Sequence, residues 1–170
     1  MQTRRDLIRA LACGVVAGAA GTAAMTATGR VHREIHARRR GIAAADLGEI
    51  LDYDDSDHVV IAAGTLLRAV TGRAPETPGG RLALFRVVHW GYGSAVGIAH
   101  VGLHRWLGRE PEAGVAFFVG SQVMALGLFP VLGGTPVPWR WERALLATSF
   151  VQHGVYAGVV AAAGAALRER

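Results

Sequence analysis

The side chains best suited to chemistry in this chain are histidines set in apolar surroundings. The stretch VVHWGYGSAVGIAHVGLH, residues 87–104, carries His89, His100 and His104; a later stretch carries Gln152 and His153, and a third carries Gln122. An imidazole with an unperturbed pKa of about 6.5 can relay a proton, sense acid, ligate a metal or haem, or supply a hydrogen bond between helices. The choice among these depends on the elements that carry the rings.

Four segments contain no charged residue: 10–29, 87–104, 113–139 and 144–167. A helix needs about 20 mostly apolar residues to cross a hydrocarbon core of ~30 Å, because each residue adds ~1.5 Å and lipid cannot satisfy a bare backbone group. The pattern predicts an all-α integral membrane four-helix bundle, a single domain over residues 1–170. Its transmembrane helices fall at about 8–28, 83–106, 113–132 and 144–167, with a polar loop, residues 30–82, between the first and second.

The composition agrees, with 51% hydrophobic residues and a mean hydropathy of +0.29. All 18 basic residues are arginine, and they raise the pI to about 10.6. They mostly flank the spans, so the expected partner is the lipid bilayer and no nucleic acid is implied. Seven arginines (4, 5, 9, 105, 109, 168 and 170) fall on one side and eleven on the other. The positive-inside rule then puts the long loop in the cytoplasm and both termini outside.

TRRDLIR at residues 3–9 resembles a twin-arginine export signal, and ALAC ending at Cys13 faintly resembles a lipoprotein box. Ala10 stands where leucine is usual, the apolar run before Cys13 is short, no A-x-A site is evident and three hydrophobic spans follow. A retained first helix is therefore expected. With Cys13 as the only cysteine, an intramolecular disulfide and paired-thiol exchange are both excluded.

The loop is basic at GRVHREIHARRRG, acidic at DLGEILDYDDSD and apolar at HVVIAAGTLLRAV. The apolar part predicts a short helix capped by Ser56 or Asp55, lying at the interface or capping the bundle. Asp52, Asp54, Ser56 and His58 alternate like the start of a calcium loop. The sixth position is Asp57 and the twelfth Ala63, however, where glycine and a bidentate glutamate are needed, so no metal site is predicted.

In lipid, helices associate through close approach and polar contacts, and small residues four apart mark contact faces. Gly14 and Gly18, Gly93 and Gly97, and Gly154 and Gly158 form such pairs, predicted as packing seams; Gly120 and Gly127 lie seven apart, with Pro130 near the end of that span. On the second helix His89, Gly93, Gly97, His100 and His104 follow steps of 4, 4, 3 and 4, so they share one face. The rings are expected to turn toward other helices, with His104 reaching headgroups and Trp90, Trp106, Trp139 and Trp141 as interfacial anchors.

GTAAM at residues 21–25 parallels GSQVM at 120–124, and HWGY at 89–92 parallels HGVY at 153–156. As an internal duplication, this would repeat helices one and two as three and four about an axis along the membrane normal, with His89 and His153 facing each other at similar depth. Chance similarity of short glycine-rich runs is the alternative.

GVVAGAAGTAAMTA, HWGYGSAVGIAHVGL, the G-x-x-P-x-W run at 134–139 and VQHGVYAGVVAAA together resemble the YagU-like family of uncharacterised bacterial inner-membrane proteins. The resemblance covers the four spans, about half the chain, and departs at Ala157, which separates Tyr156 from Gly158. It implies a multi-pass protein of the bacterial cell membrane, and one member of the family is associated with acid resistance. It transfers no reaction and no catalytic residue.

Three functional classes follow. The first is a non-enzymatic bundle, open to homo-oligomerisation, with a polar interior. The second is a small channel, transporter or pH sensor using His89, His100, Gln122, Gln152 and His153; with no carboxylate inside the spans, a carboxylate-based antiporter is disfavoured. The third is a b-type haem protein with His89 and His153 as axial ligands, although nothing in the sequence requires a cofactor. No nucleophile with a nearby base emerges, so an enzyme is not expected and no catalytic residue is assigned.

Overall fold

The computed structural model describes residues 4–47, 58–133 and 136–169, excluding the side chains of His58 and Phe129. The described residues are helical, with no strand among them. In chain order the helices are α1 (Arg4–Arg40), α2 (His58–Thr71), α3 (Pro78–Leu107), α4 (Glu110–Val123), α5 (Phe129–Gly133) and α6 (Arg143–Arg168). A π-helical turn, Met124–Leu128, joins α4 to α5, and 3₁₀ turns lie at Ala44–Asp46 and Pro138–Arg140.

The first helix runs well past its expected end near residue 28, because GRVHREIHARRR contains no proline and Gly29 is buried within the helix. It stops at Gly41, whose φ of 67° is the left-handed conformation of a helix C-terminus. Asp6 in the first turn and Arg38, Arg39 and Arg40 in the last complement the helix dipole. The Arg33 guanidinium donates to the carbonyls of Ala44 (3.1 Å) and Leu47, folding the next segment back so that Leu47 packs on Ala37. The polar loop therefore begins at residue 41, not 30.

The short helix expected in the loop is α2. It packs on α3 and α5, so it caps the bundle and is more than a surface element. Its proposed caps Asp55 and Ser56, and the acidic run from Asp52, lie outside the described residues. Thr77 caps α3 by accepting a hydrogen bond from Gly80 N at 3.1 Å, with Pro78 in the first turn, and Gly108 (φ 73°) ends the helix. These signals lengthen the expected 83–106 at its N-terminal end. In the third segment Pro130 lacks an N–H, and its ring would crowd the carbonyl of Leu126; the π turn Met124–Leu128 is the local widening that accommodates it.

Among the described residues, three helical segments are long and apolar enough to cross a membrane: Arg4–Arg40, Glu110–Leu132 and Arg143–Arg168. The expected fourth, α3, has the length at 30 residues, but its histidines, glycines and Arg81 and Arg86 keep it out of that set. Around the bundle the order is α1, α3, α4, α6, since α1 packs most extensively on α3 and α6, and α4 touches both α3 and α6. The N-terminal turns of α1 meet the C-terminal ends of α3 and α6, so α1 and α4 run one way and α3 and α6 the other. The core is Ala17, Met25, Phe117, Ala125, Tyr156, Ala157 and Val160. Large apolar side chains such as Val16, Val87, Val119 and Val151 are left exposed.

The seam of α1 and α3 is where glycine is required. A Cβ at Gly18 would lie 2.5 Å from Ser94 O and 2.6 Å from Gly93 O, and one at Gly97 would lie 2.7 Å from Gly18 Cα. Gly21 continues the stripe onto α6, where a Cβ would meet Val160 Cγ2 at 2.6 Å and Tyr156 Cδ2 at 2.7 Å. The third expected seam is corrected. A Cβ at Gly154 would meet only Phe118 Cε2, at 3.9 Å, and one at Gly158 would meet nothing within 4 Å. The contact face of α6 is instead Ser149, Gln152, His153, Tyr156, Val160 and Gly164, so the glycine pair sits one step round, facing out.

Gly18→Ala is expected to destabilise the detergent-solubilised protein by about 1–3 kcal/mol through overpacking against α3 backbone. Gly158→Ala should be neutral or slightly stabilising, since it adds helix propensity in open space. Thermal denaturation of both variants tests the contrast.

Candidate functional site

His89 and His153 come together. Both line one cavity of about 70 Å³, with Tyr92, Tyr156, Thr22 and Ser121 and with apolar groups including Met25 and Val59. Those six polar residues are the equivalent positions of the two sequence parallels: Thr22 with Ser121, His89 with His153, and Tyr92 with Tyr156. α1 is parallel to α4 and α3 to α6, so the paired positions run in the same direction through the bundle.

Each ring has a definite setting. His89 Nε2 and Thr26 Oγ1 are hydrogen-bonded at 2.9 Å, tying α3 to α1, and the ring stacks on Phe85 at 5.1 Å. His153 Nδ1 donates to Ser149 O at 2.8 Å, which in a neutral ring makes Nε2 the lone-pair nitrogen. Ser149 Oγ, 3.4 Å from His153 Nδ1, also reaches Gln122 Oε1 at 3.4 Å, linking α6 to α4. The Gln122 Nε2 amide is buried without a hydrogen-bond partner among the described residues, two residues before the π segment. Tyr156 donates to Gly93 O at 2.5 Å, joining the cavity to the glycine seam.

The other candidates lie apart. Gln152, 1% exposed, lines a separate cavity of about 230 Å³ with Thr28, His32 and Thr148. His100 is fully buried toward the opposite end, with Nε2 2.8 Å from Glu110 Oε1. His104 Nδ1 lies 2.9 Å from Glu110 Oε2, which Arg168 also reaches. His104 is thus turned onto Glu110 and not outward as expected. Trp141 likewise points inward, its Nε1 donating to Pro136 O at 2.7 Å, whereas Trp106 and Trp139 are exposed.

Sequence reading missed Glu110, because it sits outside the charge-free runs. Its signal was position: it opens α4 just beyond the turn at Gly108, within reach of His100 and His104, one helical turn apart. Phe117 separates the two polar clusters, 5.3 Å from the His100 ring and 5.6 Å from Tyr156 between ring centroids.

The cavity between His89 and His153, of about 70 Å³, is of a size for a few water molecules and lends no support to the haem reading. Among the described residues no three His, Cys, Asp or Glu side chains converge to hold a metal ion. No family model, curated protein or solved structure matches the chain. The resemblance to the YagU-like family rests on its quoted motifs alone.

Removing Glu110 leaves two imidazoles and a guanidinium without their shared acceptor. Glu110→Ala is expected to cost about 1–3 kcal/mol. Glu112→Ala, which breaks only the exposed 2.9 Å pair with Arg109, should cost under about 0.5 kcal/mol. Melting temperatures in detergent distinguish the two.

Proposed function

We propose that the chain is a multi-pass protein of the bacterial cell membrane, a non-enzymatic bundle in which α1, α3, α4 with α5, and α6 each cross the bilayer. The observation that carries this reading is the division of surfaces. Polar groups that lipid could not satisfy, His100, Gln122, Ser149, Gln152 and His153, are buried between helices, while valines and leucines face out. In this reading α3 is the fourth span despite its lower hydropathy, because its imidazoles turn inward. The resemblance to the YagU-like proteins points the same way. The arginine asymmetry orients both termini outward. The protein should stay with membranes through alkaline carbonate washing and be released by detergent; release by carbonate alone would overturn the reading.

A second reading concerns what the interior does. Two histidines and two tyrosines share one cavity, with Ser149, Gln122 and Gln152 beyond it on one side and His100 and Glu110 beyond Phe117 on the other. This series supports a proton-sensing or proton-conducting role, in keeping with the acid resistance associated with one member of the family it resembles. In dye-loaded proteoliposomes under an imposed pH gradient, His153→Gln and His89→Gln should each slow equilibration at least tenfold relative to the unsubstituted chain. Unaltered rates with lowered melting temperatures would reduce these histidines to packing.

A further inference from the structure

A second cavity, of about 180 Å³, opens where the start of α1 meets the ends of α3 and α6. Arg9, Arg105 and Arg168 line it, one guanidinium from each helix, beside His104. Arg168 is turned onto Glu110, and Asp6 is the one acid on the wall. Arg9 and Arg105 make no hydrogen bond or ion pair among the described residues. The rest of the wall, including Cys13, Val101 and Leu167, is apolar. Trp106, next to Arg105, is 81% exposed, as an aromatic anchor at a membrane surface would be.

We infer that this cavity is a binding site for an anionic phospholipid, the headgroup phosphate held by Arg9 and Arg105 and an acyl chain lying along Cys13 and Val101. The inference rests on the membrane reading above. Cations from separate helices at one bundle end form a basic pocket suited to a lipid headgroup, and guanidinium recognises the paired oxygens of a phosphodiester. An apolar wall beside the cations favours an amphiphile over free phosphate. Asp6 sets a limit, because it disfavours a densely charged anion more than a singly charged phosphodiester.

The full chain, purified in detergent, can be titrated with phosphatidylglycerol, phosphatidylcholine and inorganic phosphate, and lipid retention followed by native mass spectrometry. Phosphatidylglycerol should be retained at least tenfold more tightly than phosphatidylcholine. Arg9→Gln with Arg105→Gln should weaken it on the order of tenfold or more, while Arg140→Gln with Arg143→Gln, an equal loss of charge at the other end, should leave it unchanged. Equal retention of the two lipids, or equal loss in both double variants, overturns the inference. Full displacement by inorganic phosphate overturns the lipid assignment in favour of a free-anion site.

Cys13 supplies a readout that needs no variant. A few phosphatidylglycerol molecules per phosphatidylcholine nanodisc should slow its alkylation by a maleimide several-fold, and an unchanged rate counts against occupancy. Carbonate extraction separates the failures: a membrane-retained chain without selective lipid overturns only this site, whereas a chain released by carbonate overturns the membrane reading beneath it.

Discussion

The close approach of α1 and α3 is the constraint on which the other contacts depend. Gly14 and Gly18 on one helix and Gly93 and Gly97 on the other let backbone meet backbone, with no room for a β-carbon at any of the four. At that distance Thr26 reaches His89, and Tyr156 from α6 reaches the Gly93 carbonyl. Two polar side chains that would be costly to bury alone are thereby satisfied by the geometry that buries them. Gly21 does the same for α6, admitting Val160 and Tyr156 against α1. A side chain anywhere along this stripe would disturb packing and hydrogen bonding together.

The polar groups fall into two clusters held by different physics. At one end a single carboxylate, Glu110, joins α4 to two turns of α3 and to the end of α6, so one charge organises three helices. Nearer the middle the groups are hydroxyls, amides and imidazoles, linked through Ser149 and backbone carbonyls. Carboxylate and guanidinium at the bundle end with hydroxyl and amide hydrogen bonds inside is the distribution a low-dielectric surrounding favours, since an ionised group costs far more to bury than an amide. Phe117 keeps the two apart and forms part of the apolar core.

Much of this was legible in the sequence where periodicity and local signals agree. The charge-free runs located the four long helical segments, and the 4, 4, 3, 4 spacing placed His89, Gly93, Gly97 and His100 on the inward side of α3. Helix ends were less legible. The run from Gly29 to Arg40 looks polar enough to be loop, yet no residue in it stops a helix, and its tertiary partner, the segment returning to Ala37, lies further along the chain. The pair Gly154 and Gly158 has the spacing of a seam but not its orientation, which depends on the rotation of α6 that His153 and Tyr156 impose. Glu110 was invisible to a search for polar groups within apolar runs, because its role arises from a turn that returns it to the histidines.

The sequence parallels acquire physical meaning from direction. Two similar helix pairs could pack with the second inverted, which would put His89 and His153 at opposite ends of the bundle. Here α1 runs with α4 and α3 with α6, and the paired positions Thr22 and Ser121, His89 and His153, and Tyr92 and Tyr156 converge on one cavity. The halves are not identical: Ala157 stands where Gly93 stands in the first half, and a π turn follows Gln122 where α1 is regular. Tyr156 bonds to the carbonyl of Gly93, the glycine of the opposite half. A cavity lined by matched groups in unmatched settings presents two imidazoles of unlike environment, one bonded across helices and one to its own helix.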